Sequence, residues 1–284
     1  MLPDIAALVK CLRLVWKFRG YKPKPVTVRG LTEWINQFEK KDRAVIFNIL
    51  ESVEYLTERD IKRALVHQNE SLLKELDSSG IPPKNIIYVS IDKAGSSSAV
   101  MLNILRDACH LERRGYQLLD SHDVLGISKV SGEIDQGAII YVDDFSASGG
   151  QFCSSRDFVA SNLIGNQFAE FFLVPCICEE AIYKLAEREV EARAEHIHAK
   201  AVRPLHDQGN LLDNDHKARV RQMCLEIDRK GGLGYGSLAT NVVLYRNSPN
   251  TMPVILRGNK GQERWVGVFP RTDDLPVPKR MAVN

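Results

Sequence analysis

Fourteen residues, Ala138 to Gln151 (AIIYVDDFSASGGQ), constrain the fold of this chain more than any other stretch. Ile139 to Val142 are apolar without alternation, which suits a strand buried on both faces, as in a parallel sheet covered by helices. The strand runs into two adjacent acids, Asp143 and Asp144, and then into Phe145 and the small residues Ser146, Ala147, Ser148, Gly149 and Gly150 before Gln151. Small residues fold tightly, turn successive backbone N–H groups to one side and let an anion approach. The following FCSSRDFVASNL is expected to start a helix whose first N–H groups face the same anion. Two carboxylates beside a phosphate cradle suit a sugar phosphate, the acids taking hydroxyls and the loop taking the 5′-phosphate.

A second loop has the same setting. Ile86 to Ile91 reads as a strand and Ala99 to Arg114 as a helix closed by Gly115. Between them lie Asp92, Lys93, Ala94, Gly95 and Ser96, followed by two more serines. A strand, a small polar turn and a helix place Lys93 and the turn amides at the carboxyl edge of a sheet, where doubly wound folds bind ligands. Strands that alternate with helices in this way imply an α/β fold with a mainly parallel, doubly wound sheet.

The order of residues from Ala138 to Gln151 resembles the diphosphoribosyl-binding signature of type I phosphoribosyltransferases: four apolar residues, two acids, and a short loop ending Thr-Gly-Gly-Thr. Here the ending is Ser148-Gly149-Gly150-Gln151, which keeps the first hydroxyl and replaces the last. An apolar strand ending in Asp-Asp also occurs in Walker-B strands, but no Gly-x-x-x-x-Gly-Lys-Ser/Thr loop is present to accompany one. The resemblance implies that Asp143 and Asp144 hold the ribose hydroxyls. It implies further that Ser146 to Gln151 cradle the 5′-phosphate, and that Asp92 to Ser96, with Lys93 as a catalytic cation, face pyrophosphate and its Mg²⁺. In that family the region matching Tyr116 to Gly137 forms a flap over the reaction centre. A turn at Arg246 to Asn250 offers Asn247 and Asn250 to a base or acceptor, or is a plain Asx-Pro turn.

Composition excludes several alternatives. Six cysteines in 284 residues make no disulfide framework, and Cys176 and Cys178 have no second pair with which to form a zinc site. No apolar run approaches the roughly 20 residues of a membrane span, and a reducing cytoplasm is expected. Charge is uneven: residues 1–29 carry seven Lys or Arg against Asp4, a net of +6, so that the remainder of this chain of net charge +2 carries −4. Ile5 to Phe18 has apolar residues at 5, 8, 9, 12, 15 and 16, a helical spacing, with Lys10, Arg13 and Lys17 elsewhere on the wheel. Tyr21-Lys-Pro-Lys-Pro25 breaks the helix. This arm either docks on its own domain or meets a partner protein, nucleic acid or membrane surface.

Leu31 to about Leu76 reads as helical, with Thr57 heading a capping box. Glu170 to Cys178 reads as a strand, Glu179 to about Ala201 as one charged helix carrying His196 and His198, and Leu238 to Tyr245 as a further strand. Asp213 or Asp215 is expected to cap a helix through Ile227. Gly231 to Gly236 reads as flexible backbone, Met252 to Leu256 as an apolar strand, and Trp265 with Phe269, Pro270 and Arg271 as an anchoring tail.

The helical region, the Asp-Asp loop, Asn247-Ser-Pro-Asn250 and Trp265 followed by Phe-Pro-Arg271 come in an order that resembles phosphoribosyltransferase-like proteins of bacterial anti-phage loci, including retron and cyclic-nucleotide systems. The likeness implies a defence effector, a toxin acting on phosphoribosyl pyrophosphate or a related nucleotide, or an inactive nucleotide-sensing or assembly module. Expected domains are a basic arm and linker (1–29), a helical subdomain (30–80) and the phosphoribosyltransferase-like domain (81–284). Expected partners are the phosphoribosyl ligand, a nucleoprotein or defence complex engaged through residues 1–24, and a second copy in a homo-oligomer.

Overall fold

The computed structural model describes residues 5–93, 95–164, 167–259, 265–272 and 275. In chain order its elements are α1 (Ile5–Lys17), α2 (Val28–Ile35), α3 (Arg43–Glu51), β1 (Glu54–Leu56), α4 (Glu58–Ser78), β2 (Ile86–Ser90) and α5 (Ser97–Cys109). There follow β3 (Gln117–Asp120), α6 (Val124–Gly132), β4 (Gln136–Val142), β5 (Phe145–Ser146), α7 (Gly150–Ala160) and β6 (Gln167–Cys178). The chain continues through α8 (Glu179–Ala186), β7 (Glu191–His198), α9 (Asn214–Ile227), β8 (Val242–Leu244) and α10 (Val254–Arg257). They form two compact units, one of residues Arg59–Ala199 and the other of Met1–Glu58 with Lys200–Asn284.

The Arg59–Ala199 unit is the doubly wound part. Its strands lie in the order β3-β2-β4-β6-β7, all parallel, with the short β5 beside the end of β6. Chain order reverses between β2 and β4: β3 lies on one side of β2 and the later strands on the other. This is the topological switch point at which open α/β sheets bind ligands beyond the strands' carboxyl ends. The apolar runs noted in the sequence supply the central strands, with β2 buried along its whole length and β4 buried from Gly137 onward. Ile87, Val89, Ile139 and Tyr141 pack with Phe152, Val159 and Phe172 in one apolar cluster, so that α7 lies against the sheet.

The other unit is mainly helical, with β1 and β8 as a two-stranded parallel pair. Trp34 anchors its core and donates its indole N–H to the Ile255 carbonyl at 2.7 Å. Phe269 is buried edge-on against Phe18 and Tyr21, with ring centroids 4.8 and 5.5 Å apart, and Tyr21 Oη donates to the Pro270 carbonyl at 2.7 Å. Residues 1–29, expected as a separate arm, therefore supply Phe18 and Tyr21 to this core, and the units divide at other places than 29/30 and 80/81.

Several expected elements differ. Glu179 to Ala201 is not one helix: α8 stops at Ala186, Glu189 takes φ +58°, and residues 191–198 pair with the open edge of β6. Ladder hydrogen bonds along that edge outweigh the helix preference of a charged, Ala-rich segment. His198 is accordingly buried on a strand. Arg193 pairs with Glu75 and Glu191. Tyr116 to Gly137 forms β3 and α6, Met252 to Leu256 turns into α10, and the strand expected over 238–245 shrinks to β8. Gly231 to Gly236 is closely packed, since a Cβ on Gly234 (φ +78°) would lie 2.1 Å from the Thr251 carbonyl oxygen. Asp213 caps α9 through the His216 N–H at 2.9 Å. None of the six cysteines forms a disulfide, and all are buried.

Candidate functional site

The registry of the sheet brings the two loops together. Ser90 of β2 stands opposite Val142 of β4, so Asp92 and Asp144 each lie two residues past paired positions on neighbouring strands. They flank the switch point.

Asp143 is buried and Asp144 half-buried. Burial pushes the Asp143 carboxyl well above the usual range, and the negative charge of Asp144 pushes it further. A hydrogen bond between the two side chains also favours the protonated form of Asp143, as does the nearby charge of Asp92. The charge of Asp92 reaches Asp143, so the two loops meet in one electrostatic neighbourhood.

The phosphate loop is shaped by Gly149. It takes the left-handed conformation (φ +71°, ψ −4°) as the residue capping α7, a region costly to residues with a Cβ. Gly149 itself offers no side chain to cap α7. The Gly150 N–H reaches Ser148 Oγ at 3.3 Å. First-turn N–H groups and the positive end of the helix dipole suit an anion here. Ser146 lies buried in β5, while Ala147 and Ser148 are half-buried.

The Asp92–Ser96 loop is built differently from the expectation. The Lys93 N–H donates to the Asp92 carboxylate at 2.7 Å, the Asp92 N–H to Ser98 Oγ at 3.2 Å, and the Ser96 N–H to the Lys93 carbonyl at 3.1 Å. These amides are engaged within the loop itself. Ser96 caps α5 through the Ala99 N–H, and Gly95 has φ +87°. Lys93 is exposed on this loop. Ala94 lies outside the described residues.

Gln151, where the resembling signature has a hydroxyl, donates across to Asp92 Oδ2 at a long 3.4 Å, linking the loops. Asn247 and Asn250 belong to the other unit. The Asn247 carboxamide oxygen accepts from the Ser248 N–H at 3.1 Å and the Thr272 N–H at 3.3 Å, a local staple of the tail. The Asn250 carbonyl accepts from the Tyr235 N–H.

Three supporting features were missed in the sequence. Ser98 is buried and holds both Asp92 and Ser96, the latter through their hydroxyls at 2.9 Å. Ser155 donates to the Ile91 carbonyl, fastening α7 to the end of β2; its spacing of three from Phe152 was the available signal, since it puts both on one helix face. Arg156 grips Glu170 of β6 with two hydrogen bonds of 2.9 and 2.6 Å, and Tyr141 Oη donates to the same carboxylate at 3.1 Å.

The Asp92 and Asp144 carboxylates are hard oxygen donors that would fit Mg²⁺ carried by a diphosphate, which keeps waters and takes only one or two carboxylates. Among the described residues no group of three His, Cys, Asp or Glu is gathered into a dedicated metal cage. No curated protein matches the chain. Residues 31–271 match the PRTase-CE family, a span that contains both loops. With a mainly parallel doubly wound sheet and paired acids before the α7 N-terminus at its switch point, this phosphoribosyltransferase-like chain belongs to the PRTase-CE family.

Proposed function

We propose that the chain binds phosphoribosyl pyrophosphate and transfers its ribosyl group with loss of pyrophosphate, or binds a nucleotide with the same ribose phosphate and transfers its ribosyl group with loss of the base, as an effector of bacterial anti-phage defence. The observation that carries the chemical part is the acid pair and the α7 N-terminus following the carboxyl end of β4, beside the Asp92 loop that follows its neighbour β2. Asp144 accepts from the ribose hydroxyls, beside the buried Asp143. The α7 N-terminus and the Ser146–Gln151 loop take the 5′-phosphate and fix the sugar. In phosphoribosyl pyrophosphate the C1′–oxygen bond then breaks, its electron pair leaving with pyrophosphate, and an acceptor lone pair forms the new bond at C1′ while the acceptor's proton passes to solvent. Lys93 balances charge on the departing group. Asp92 or Asp144 would help to hold Mg²⁺ carried by the diphosphate, and the ion would supply further positive charge to the leaving group. With few covalent steps for the protein, rate comes from positioning and electrostatics.

The alternative is a module that binds the nucleotide without turning it over. Gln151 in place of a hydroxyl, and loop amides already engaged within the Asp92–Ser96 turn, favour it. Assaying pyrophosphate from phosphoribosyl pyrophosphate with Mg²⁺ and a panel of bases separates the readings. Release that is lost in Asp143→Asn/Asp144→Asn supports transfer; binding without release supports the sensor. The defence role rests on the resemblance in residue order, and survival of cells challenged with phage, with and without the Asp-Asp pair, tests it.

A further inference from the structure

The strongest apolar face of α1 is the one its own unit leaves uncovered. The helix docks through Cys11 and Leu14, followed by Phe18, all buried. Leu8, Val9, Leu12 and Trp16 are 38%, 44%, 52% and 66% exposed. At helical spacing these four fall within about 100° of arc. Lys10 and Arg13 are exposed on the neighbouring arc, and the Arg19 guanidinium lies 4.5 Å from the centre of the Trp16 ring. No acid occurs between Asp4 and Glu33. A contiguous apolar patch rimmed by cations marks an interaction surface.

We infer that α1 is a docking face for an anionic lipid bilayer, on which it lies without crossing. Among the described residues no helix is long and apolar enough to span a membrane. An interfacial amphipathic helix buries its apolar arc at the headgroup boundary and meets lipid phosphates with its Lys and Arg. Leu8, Val9, Leu12 and Trp16 provide the first part, and Lys10, Arg13 and Arg19 the second. Nucleic acid satisfies only the cations: phosphates are met by charge and hydrogen-bond donors, so the aliphatic arc stays against water. A second copy paired about a two-fold axis satisfies only the apolar arc, since it sets Lys10 and Arg13 near their own images with no acid on this segment to offset them.

The test is sedimentation of the full chain with vesicles of phosphatidylcholine alone and of equimolar phosphatidylcholine and phosphatidylglycerol. The chain is expected to pellet with the mixed vesicles, less as salt rises, and to stay in solution with phosphatidylcholine alone. Trp16→Glu and Leu12→Glu, both outside the core, should keep the wild-type circular dichroism and melting temperature yet lower partitioning roughly tenfold or more. Arg13→Glu should lower it roughly ten- to thirtyfold. The inference is overturned if the wild type ignores both vesicle types, or if Trp16→Glu and Leu12→Glu bind as it does. It is equally overturned if those two variants abolish an RNA or DNA complex, or a concentration-dependent dimer, in place of vesicle binding.

Discussion

Replacing Gly149 by Ala and, separately, Gly150 by Ala separates what the phosphate loop needs in order to fold from what it needs in order to bind. At Gly149 the left-handed backbone alone costs an alanine about 1–2 kcal/mol. Its Cβ would also stand 3.2 Å from Ala181 Cα and 3.3 Å from Lys184 Cβ on α8. Forcing a methyl into packed surroundings adds about 1–3 kcal/mol, for an expected loss of about 2–5 kcal/mol. At Gly150 the backbone is helical and the new Cβ meets only Ser148 Oγ, at 3.4 Å. Stability there should hold or rise by up to about 1 kcal/mol, while the methyl intrudes where the anion approaches. Each charge-assisted hydrogen bond lost to the phosphate is worth about 1.5–3 kcal/mol, tenfold or more in affinity. Urea denaturation reads the first effect and calorimetric titration with ribose 5-phosphate the second. A Gly149→Ala protein as stable as wild type refutes the left-handed cap, and a Gly150→Ala protein that binds with full affinity refutes the cradle.

Other variants test the surroundings. Asp143→Asn should stabilise the empty protein at neutral pH by about 1–3 kcal/mol, because it removes a carboxyl whose ionisation burial disfavours. The raised pKa means that the contribution of Asp143 is fully present below the ordinary carboxylate range and is lost as pH rises through the folded value, so the variant's margin in melting temperature should vanish toward about pH 4. Gln151→Ala removes one long, exposed contact to Asp92 and should change stability by less than about 0.5 kcal/mol; a larger loss in denaturation would show a stronger coupling of the loops. Phe18→Ala should cost about 3–5 kcal/mol, since its ring is fully buried against Phe269, and a near-neutral melt would mean that residues 1–29 are dispensable to the fold.

The parallel sheet and its two loops were legible because apolar runs, acids and small residues recur there in one order, and the registry of β2 with β4 turned that order into proximity. The edge strand β7 was not. Its alternation, with Ala192 and Ala194 turned to the core and charged residues between, competes with an equally good helix pattern, and only the free edge of β6 decides. The face of α1 was legible as apolar but not as exposed, because burial there depends on Leu31, Trp34 and Phe269 far along the chain. The closed hydrogen bonding of the Asp92–Ser96 turn escaped for a similar reason: serine and glycine announce a turn, not which of its amides it uses itself.

The central claim is that the Asp143–Asp144 pair and the loop behind it hold a ribose phosphate. Calorimetric titration of ribose 5-phosphate into the wild type and into Asp143→Asn/Asp144→Asn tests it most directly. The expected result is a single site in the wild type and affinity at least roughly tenfold weaker in a variant that remains folded. Equal binding by the two proteins, or none by either, contradicts it.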